Sequence, residues 1–126
     1  MSLKKIELEY EVHSAIHILY NCISNPSSME EWYAESVNIK NNIISFKWEG
    51  EERQAEFISS KKDLYFKWRW LDSGFENTFC ELRIKVDEMT GDVALVITDF
   101  CEASEENESK MLWDMAIDDL HGVIGG

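Results

Sequence analysis

A single proline, Pro26, and three cysteines set far apart, Cys22, Cys80 and Cys101, are what this sequence has least of. One proline makes no Pro-rich linker, and no internal repeat or low-complexity segment interrupts the chain. Its 126 residues are therefore read as one domain, 1–126. A chain of that length can bury well over half of the surface it exposes when unfolded. An odd number of cysteines without a C-x-x-C spacing excludes a disulfide framework and a zinc knuckle, so reduced, partly buried thiols are expected.

Positive charge is scarce as well: 12 Lys plus Arg stand against 25 Asp plus Glu, a formal net charge of -13. The longest basic runs, Lys4-Lys5 and Lys61-Lys62, are too short to track phosphates. Nucleic acid is therefore excluded as a partner and docking on an anionic membrane is argued against. No stretch approaches the roughly 18 apolar residues of a membrane span. The N-terminal MSLKKIELEYEV alternates and is charged, unlike a signal peptide, so a cytoplasmic location is expected.

What the sequence does have is large rings: five Trp, six Phe and four Tyr in a chain that is 44% hydrophobic. Ile6, Leu8, Tyr10 and Val12 alternate with Glu7, Glu9 and Glu11, the period of a strand with one wet face. From Ser14 the period becomes helical through Ile16, Leu19, Tyr20 and Ile23 and stops at Ser24-Asn25-Pro26. Ser28 and Glu31 are spaced as a capping box for a second short helix, MEEWYAE.

Strand alternation resumes at Val37 and Ile39, turns at Asn41-Asn42, and continues through Ile44, Phe46 and Trp48 to a second turn at Glu49-Gly50. Ala55 and Phe57 begin the next strand. Leu64, Phe66, Trp68 and Trp70 make an almost wholly aromatic face, and Cys80, Leu82, Ile84 and Val86 follow after Asp72-Ser73-Gly74. VALVITDF, Val93 to Phe100, is apolar on both faces and is expected at the centre of the sheet. Ser104 opens an acidic first turn, EENESK, suited to the positive end of a helix dipole. Leu112, Trp113, Ala116, Ile117, Leu120 and Ile124 then form one helical stripe.

The fold class that follows is α+β: a curved antiparallel sheet of about six to seven strands around a long C-terminal helix, with two short helices after the first strand. A twisted sheet must cover its apolar face, and the last helix is the only long apolar cover available.

This order, together with SSMEEWYAESV, FKWEG and VALVITDFCE, resembles the START-like (SRPBCC) superfamily with the helix-grip fold, in particular bacterial relatives of the activator of the ninety-kilodalton heat-shock ATPase. The resemblance spans essentially the whole chain and rests on Trp32-Tyr33 before a strand, the Phe46-x-Trp48-x-Gly50 hairpin, and Thr98-Asp99-Phe100 ahead of the last helix. It implies a cavity between sheet and helix, roofed by the short helices, in which members of the superfamily hold lipids, hormones, polyketides or other apolar ligands. On that basis Trp32 is expected to look from the roof toward Phe46, Trp48, Phe66, Trp68 and Trp70, with Trp113 and Ile117 opposite on the helix. The alternative is that these rings are simply packed core.

Chemistry is thinly signalled. His13 and His17 have metal-ligand spacing but lack an H-E-x-x-H or further ligands, so no metal and no other cofactor is expected. His121 lies in the last helical turn, where a cation complements the dipole. Asp99, if it points inward, is a ligand anchor or general acid whose pKa burial would raise; if outward, it is an edge or cap residue. Arg69 is placed to pair across strands with Glu81. There is no G-x-S-x-G, no Gly-rich phosphate loop and no recognisable Cys-His arrangement, and Cys101 beside Glu102 lacks the electropositive setting of a reactive thiolate.

Three functions remain: a module binding a small hydrophobic molecule, a protein-interaction module with a co-chaperone-like acidic surface, and an aromatase- or cyclase-like enzyme. The first is the reading the aromatic face and the resemblance favour.

Overall fold

The computed structural model describes residues 3–125. The first strand, β1 (Leu3–Glu11), leads into two short helices, α1 (Ile16–Ser24) and α2 (Pro26–Met29). Six strands follow: β2 (Ser36–Lys40), β3 (Ile43–Trp48), β4 (Glu51–Lys61), β5 (Tyr65–Trp70), β6 (Cys80–Val86) and β7 (Val93–Glu102). A 3-10 turn over Ala103–Glu105 then opens into α3 (Glu106–Ile124).

All seven strands form one antiparallel sheet in the order β1-β7-β6-β5-β4-β3-β2. Consecutive strands from β2 to β7 are neighbours, while β1 returns to pair with the last strand, from Leu3 opposite Glu102 to Glu11 opposite Ala94. The chain between β1 and β2 must therefore travel from one sheet edge to the other, and α1 and α2 make that crossing. VALVITDF, expected at the centre, lies in β7, one strand from the edge; the central strand is β5. Its two-sided apolarity arises because Leu95 and Ile97 are buried in the core, while Phe100, on the opposite parity, packs edge-on against Phe79 with centroids 5.4 Å apart.

Strand parity builds the core. Ile6, Ile44, Phe46, Ala55, Phe66, Trp68, Trp70, Leu82, Leu95 and Ile97 are all buried, and Leu19 and Ile23 of α1 join them. From α3 the buried residues are Trp113, Ile117 and Leu120. Leu112, counted in that stripe from its spacing, is 59% exposed, because its position lies about 100° around the helix from Trp113.

Local chemistry corrects two further expectations. The second helix is capped by Asn25, not Ser28: the Asn25 side chain accepts from the amides of Ser27 and Ser28, at 2.9 and 3.3 Å, and Pro26 occupies the first helical position, where its missing N–H costs nothing. Ser28 lies inside the helix and accepts from the Asn21 side chain. The MEEWYAE segment beyond Met29 is a tight turn in which the amides of Trp32, Tyr33 and Ala34 all converge on the Met29 carbonyl. Arg69 does not pair with Glu81, because β5 and β6 pair only as far as Trp68 opposite Cys80. Its Nε donates to the Thr78 carbonyl at 2.9 Å and its Nη1 lies 3.8 Å from Glu56, while Glu81 is held by Arg83.

His13 lies in the loop before α1, beside Glu11, and does not share a helical face with His17. His121 does more than sit at a helix end. Its Nε2 is 3.1 Å from the carbonyl oxygen of Glu11, and since a carbonyl can only accept, that nitrogen carries the proton and ties α3 to β1. No helix among the described residues is long and apolar enough to cross a membrane.

Candidate binding cavity

Between the first turns of α3 and the sheet lies a cavity of about 640 Å³. Its walls come from the turn after α2, the facing ends of β3, β4, β5 and β7, and α3. Exposed Glu51, Glu105 and Leu112 stand at its rim.

Tyr33 is the ring around which the wall is built. It stacks on Trp113 of α3, with centroids 5.2 Å apart and planes 17° apart, and meets Phe46 and Trp48 edge-on at 5.3 and 5.5 Å. The Trp48 indole N–H donates to the Tyr33 carbonyl at 2.8 Å, so β3 fixes the backbone of the turn as well as its ring. Neighbouring Trp32 points into the core, where its N–H donates to the Cys22 carbonyl at 2.9 Å. Adjacent rings thus take different tasks, one closing the core and one facing the cavity.

The polar part of the wall comes from three strands. Arg53 of β4 shares the parity of buried Ala55, so its side chain stands on the inner face. Its guanidinium lies 3.9 Å over the Trp70 ring, and both Nε, at 2.9 Å, and Nη2, at 2.8 Å, donate to Asp72 Oδ2. Asp99 of β7 has the parity of Leu95 and Ile97. Its Oδ2 accepts from the Trp113 indole N–H at 3.1 Å and its Oδ1 from the Phe100 amide at 2.8 Å.

Burial pushes the Asp99 carboxyl above its ordinary value, and the hydrogen bonds from Phe100 and Trp113, with the nearby Arg53 charge, pull it only part of the way back. Burial also pushes the Tyr33 hydroxyl and the Cys80 thiol well up, so both stay protonated and neither offers a nucleophile at neutral pH. All three cysteines are free and buried. Among the described residues, no three His, Cys, Asp or Glu side chains gather as a metal ion would need.

Of the residues singled out from the sequence, Trp48, Trp70, Trp113 and Asp99 line this cavity. Trp32, Phe46, Phe66, Trp68 and Ile117 are buried behind it in the packed core. The reason is packing: around Trp68 the rings of Phe46, Trp70 and Phe66 close to centroid distances of 5.1, 5.8 and 6.0 Å, which leaves no room for a ligand. Sequence reasoning missed Tyr33, Arg53, Asp72 and Phe75. Alternation with Ala55 was the signal that could have found Arg53.

Comparison with known proteins agrees with this architecture. A Bacteroides fragilis protein of known solution NMR structure is 35% identical, over 98% of this chain and 92% of that one, with a TM-score of 0.64. The Aha1 dimer from Colwellia psychrerythraea has a TM-score of 0.81 at 9% identity, over 96% of each chain. An uncharacterised Bacillus thuringiensis protein has a TM-score of 0.79 at 12% identity, over 98% of this chain and 100% of that one. The last two likenesses are of fold alone. No curated protein matches this sequence. The family model of the START-like superfamily domain matches residues 1–126, and with the grip of sheet on helix described above, the chain belongs to the START-like superfamily.

Proposed function

We propose that this protein is a binding module for a small, largely apolar molecule held in the cavity between the sheet and α3. The observation that carries this reading is the cavity itself. A space of about 640 Å³ falls within the range of small-molecule sites, and it joins aromatic walls from Tyr33, Trp48, Trp70 and Trp113 to two convergent polar groups, Arg53 and Asp99. Thermal melting against a panel of fatty acids, sterols, flavonoids and polyketides tests it. One class should raise the melting temperature in proportion to the logarithm of its concentration. A melt indifferent to every compound, with unaltered tryptophan fluorescence, would contradict the proposal.

A second reading, contact with another protein, is favoured by one observation. Met111 and Met115 are one turn apart on α3 and are 62% and 59% exposed, an apolar strip on an otherwise acidic surface. If the other protein is a second copy of this chain, light scattering should show a dimer for the wild type and a monomer for Met111→Lys/Met115→Lys; a monomer mass in both would contradict that contact.

A further inference from the structure

Resting on the cavity reading above, we infer that the occupant is an organic cation: an amine or quaternary ammonium on an apolar body. Five carboxylate residues, Glu51, Asp72, Asp99, Glu102 and Glu105, line the cavity against one basic residue, Arg53. That one cation is already paired. Two of its N–H groups converge on Asp72 and its flat face lies on Trp70, so it serves as an internal counter-ion to the wall.

An anionic ligand would meet an Arg53 whose charge Asp72 already balances, and would face the remaining carboxylates of Asp99, Glu51, Glu102 and Glu105, where like charges repel. A cation meets the reverse. A carboxylate offers about four lone-pair directions, and Asp99 uses one on the Trp113 indole and one on the Phe100 amide, with the Trp70 side chain close to a third. A direction remains for an ammonium N–H. The rings of Tyr33, Trp48 and Trp113 border the same space and supply the apolar wall on which the body of such a molecule can lie. The net charge of -13 extends the same preference outward by concentrating cations near the surface.

The test uses the full chain and three probes with one naphthalene body: 2-(1-naphthyl)ethylamine, the matching alcohol and naphthylpropionate, titrated by calorimetry at neutral pH. The amine should bind about tenfold or more tighter than the carboxylate, with the alcohol between, and the gap should shrink with added salt. Asp99→Asn should bring the amine close to the alcohol, and Glu51→Gln, at the exposed rim where folding is not at stake, should narrow the gap in the same direction. Equal binding of amine and alcohol overturns the inference. So does a preference for the carboxylate that Arg53→Gln abolishes; in both cases the cavity reading survives. If none of the three binds, the inference is overturned, and the cavity reading is decided separately by the melting panel above.

Discussion

Tyr33 lies flat on Trp113, 5.2 Å between centroids, and this stack joins the turn after α2 to the long helix along the wall of the cavity. Trp113 also donates its indole N–H to Asp99 of β7, so one side chain ties roof, helix and sheet together. Trp113→Phe keeps a ring for Tyr33 but removes the donor, and should cost about 1–2 kcal/mol in denaturant unfolding. Trp113→Ala removes both contacts and should cost about 3–5 kcal/mol. Equal losses in the two variants would show that the hydrogen bond, not the stack, holds the roof.

Asp99 imposes a pH dependence whose sign follows from its surroundings: the Trp113 indole from α3, the Phe100 amide from its own strand, the Arg53 guanidinium from β4, the Trp70 side chain from β5, and Tyr33 and Cys80 nearby, both protonated. Its value in the folded protein is raised above the ordinary 3.8. A raised acid contributes stability that is fully present below the ordinary value and lost as pH rises through the raised one. Above its ordinary value the buried carboxyl therefore costs stability. Asp99→Asn keeps an acceptor for only one of the two N–H groups, so the sign of its offset is not fixed, but its melting temperature relative to the wild type should climb from about pH 4 to about pH 7. A difference that stays constant over that range would mean that Asp99 is not held against its burial.

Glu106, at the start of α3, behaves in the opposite sense. Lys4 of β1 donates to it at 2.6 Å and Lys110 lies 2.9 Å away, one turn along the helix, which together hold its carboxyl at about 2, below the ordinary 4.5. A depressed acid contributes stability above its ordinary value and loses it as pH falls through the folded one. Glu106→Gln should flatten the acid limb of the melting curve between those two values, and high salt should do part of the same to the wild type. An acid limb identical in both proteins would show that this ion pair does not help seat the helix.

The hairpin between β2 and β3 turns on Asn41 and Asn42, whose φ angles of 52° and 65° are both positive, as a two-residue turn matching strand twist requires. Asparagine tolerates that region and β-branched residues do not. Asn41→Val should lower stability by about 1–2 kcal/mol, while Asn42→Gly should be neutral or slightly stabilising. Tolerance of the valine would mean that the turn rearranges at little cost.

The sheet and its helix were legible because they rest on periodicity: alternation through Ile44, Phe46 and Trp48 and again through Phe66, Trp68 and Trp70 leaves one inner face, and the spacing of Trp113, Ile117 and Leu120 supplies its cover. What escaped depends on competition or on register. Asn25 and Ser28 are both good caps, and Pro26, fit for the first helical position, decides between them. Arg69 finds Glu56 because β6 pairs with β5 only from Cys80 onward, a fact no local pattern carries. Which rings are core and which are wall follows from where the sheet and α3 stop touching, and that depends on the whole assembly. Arg53 and Tyr33 were within reach, one by parity with Ala55 and the other by standing beside Trp32.

Two-dimensional NMR of the five tryptophan indole N–H groups during titration with 2-(1-naphthyl)ethylamine tests the central claim most directly. Occupation of the cavity should shift the signals of Trp48, Trp70 and Trp113 together, with one saturating curve, and leave those of Trp32 and Trp68 nearly still. Shifts confined to Trp32 and Trp68, or no saturable shift in any of the five, would contradict it.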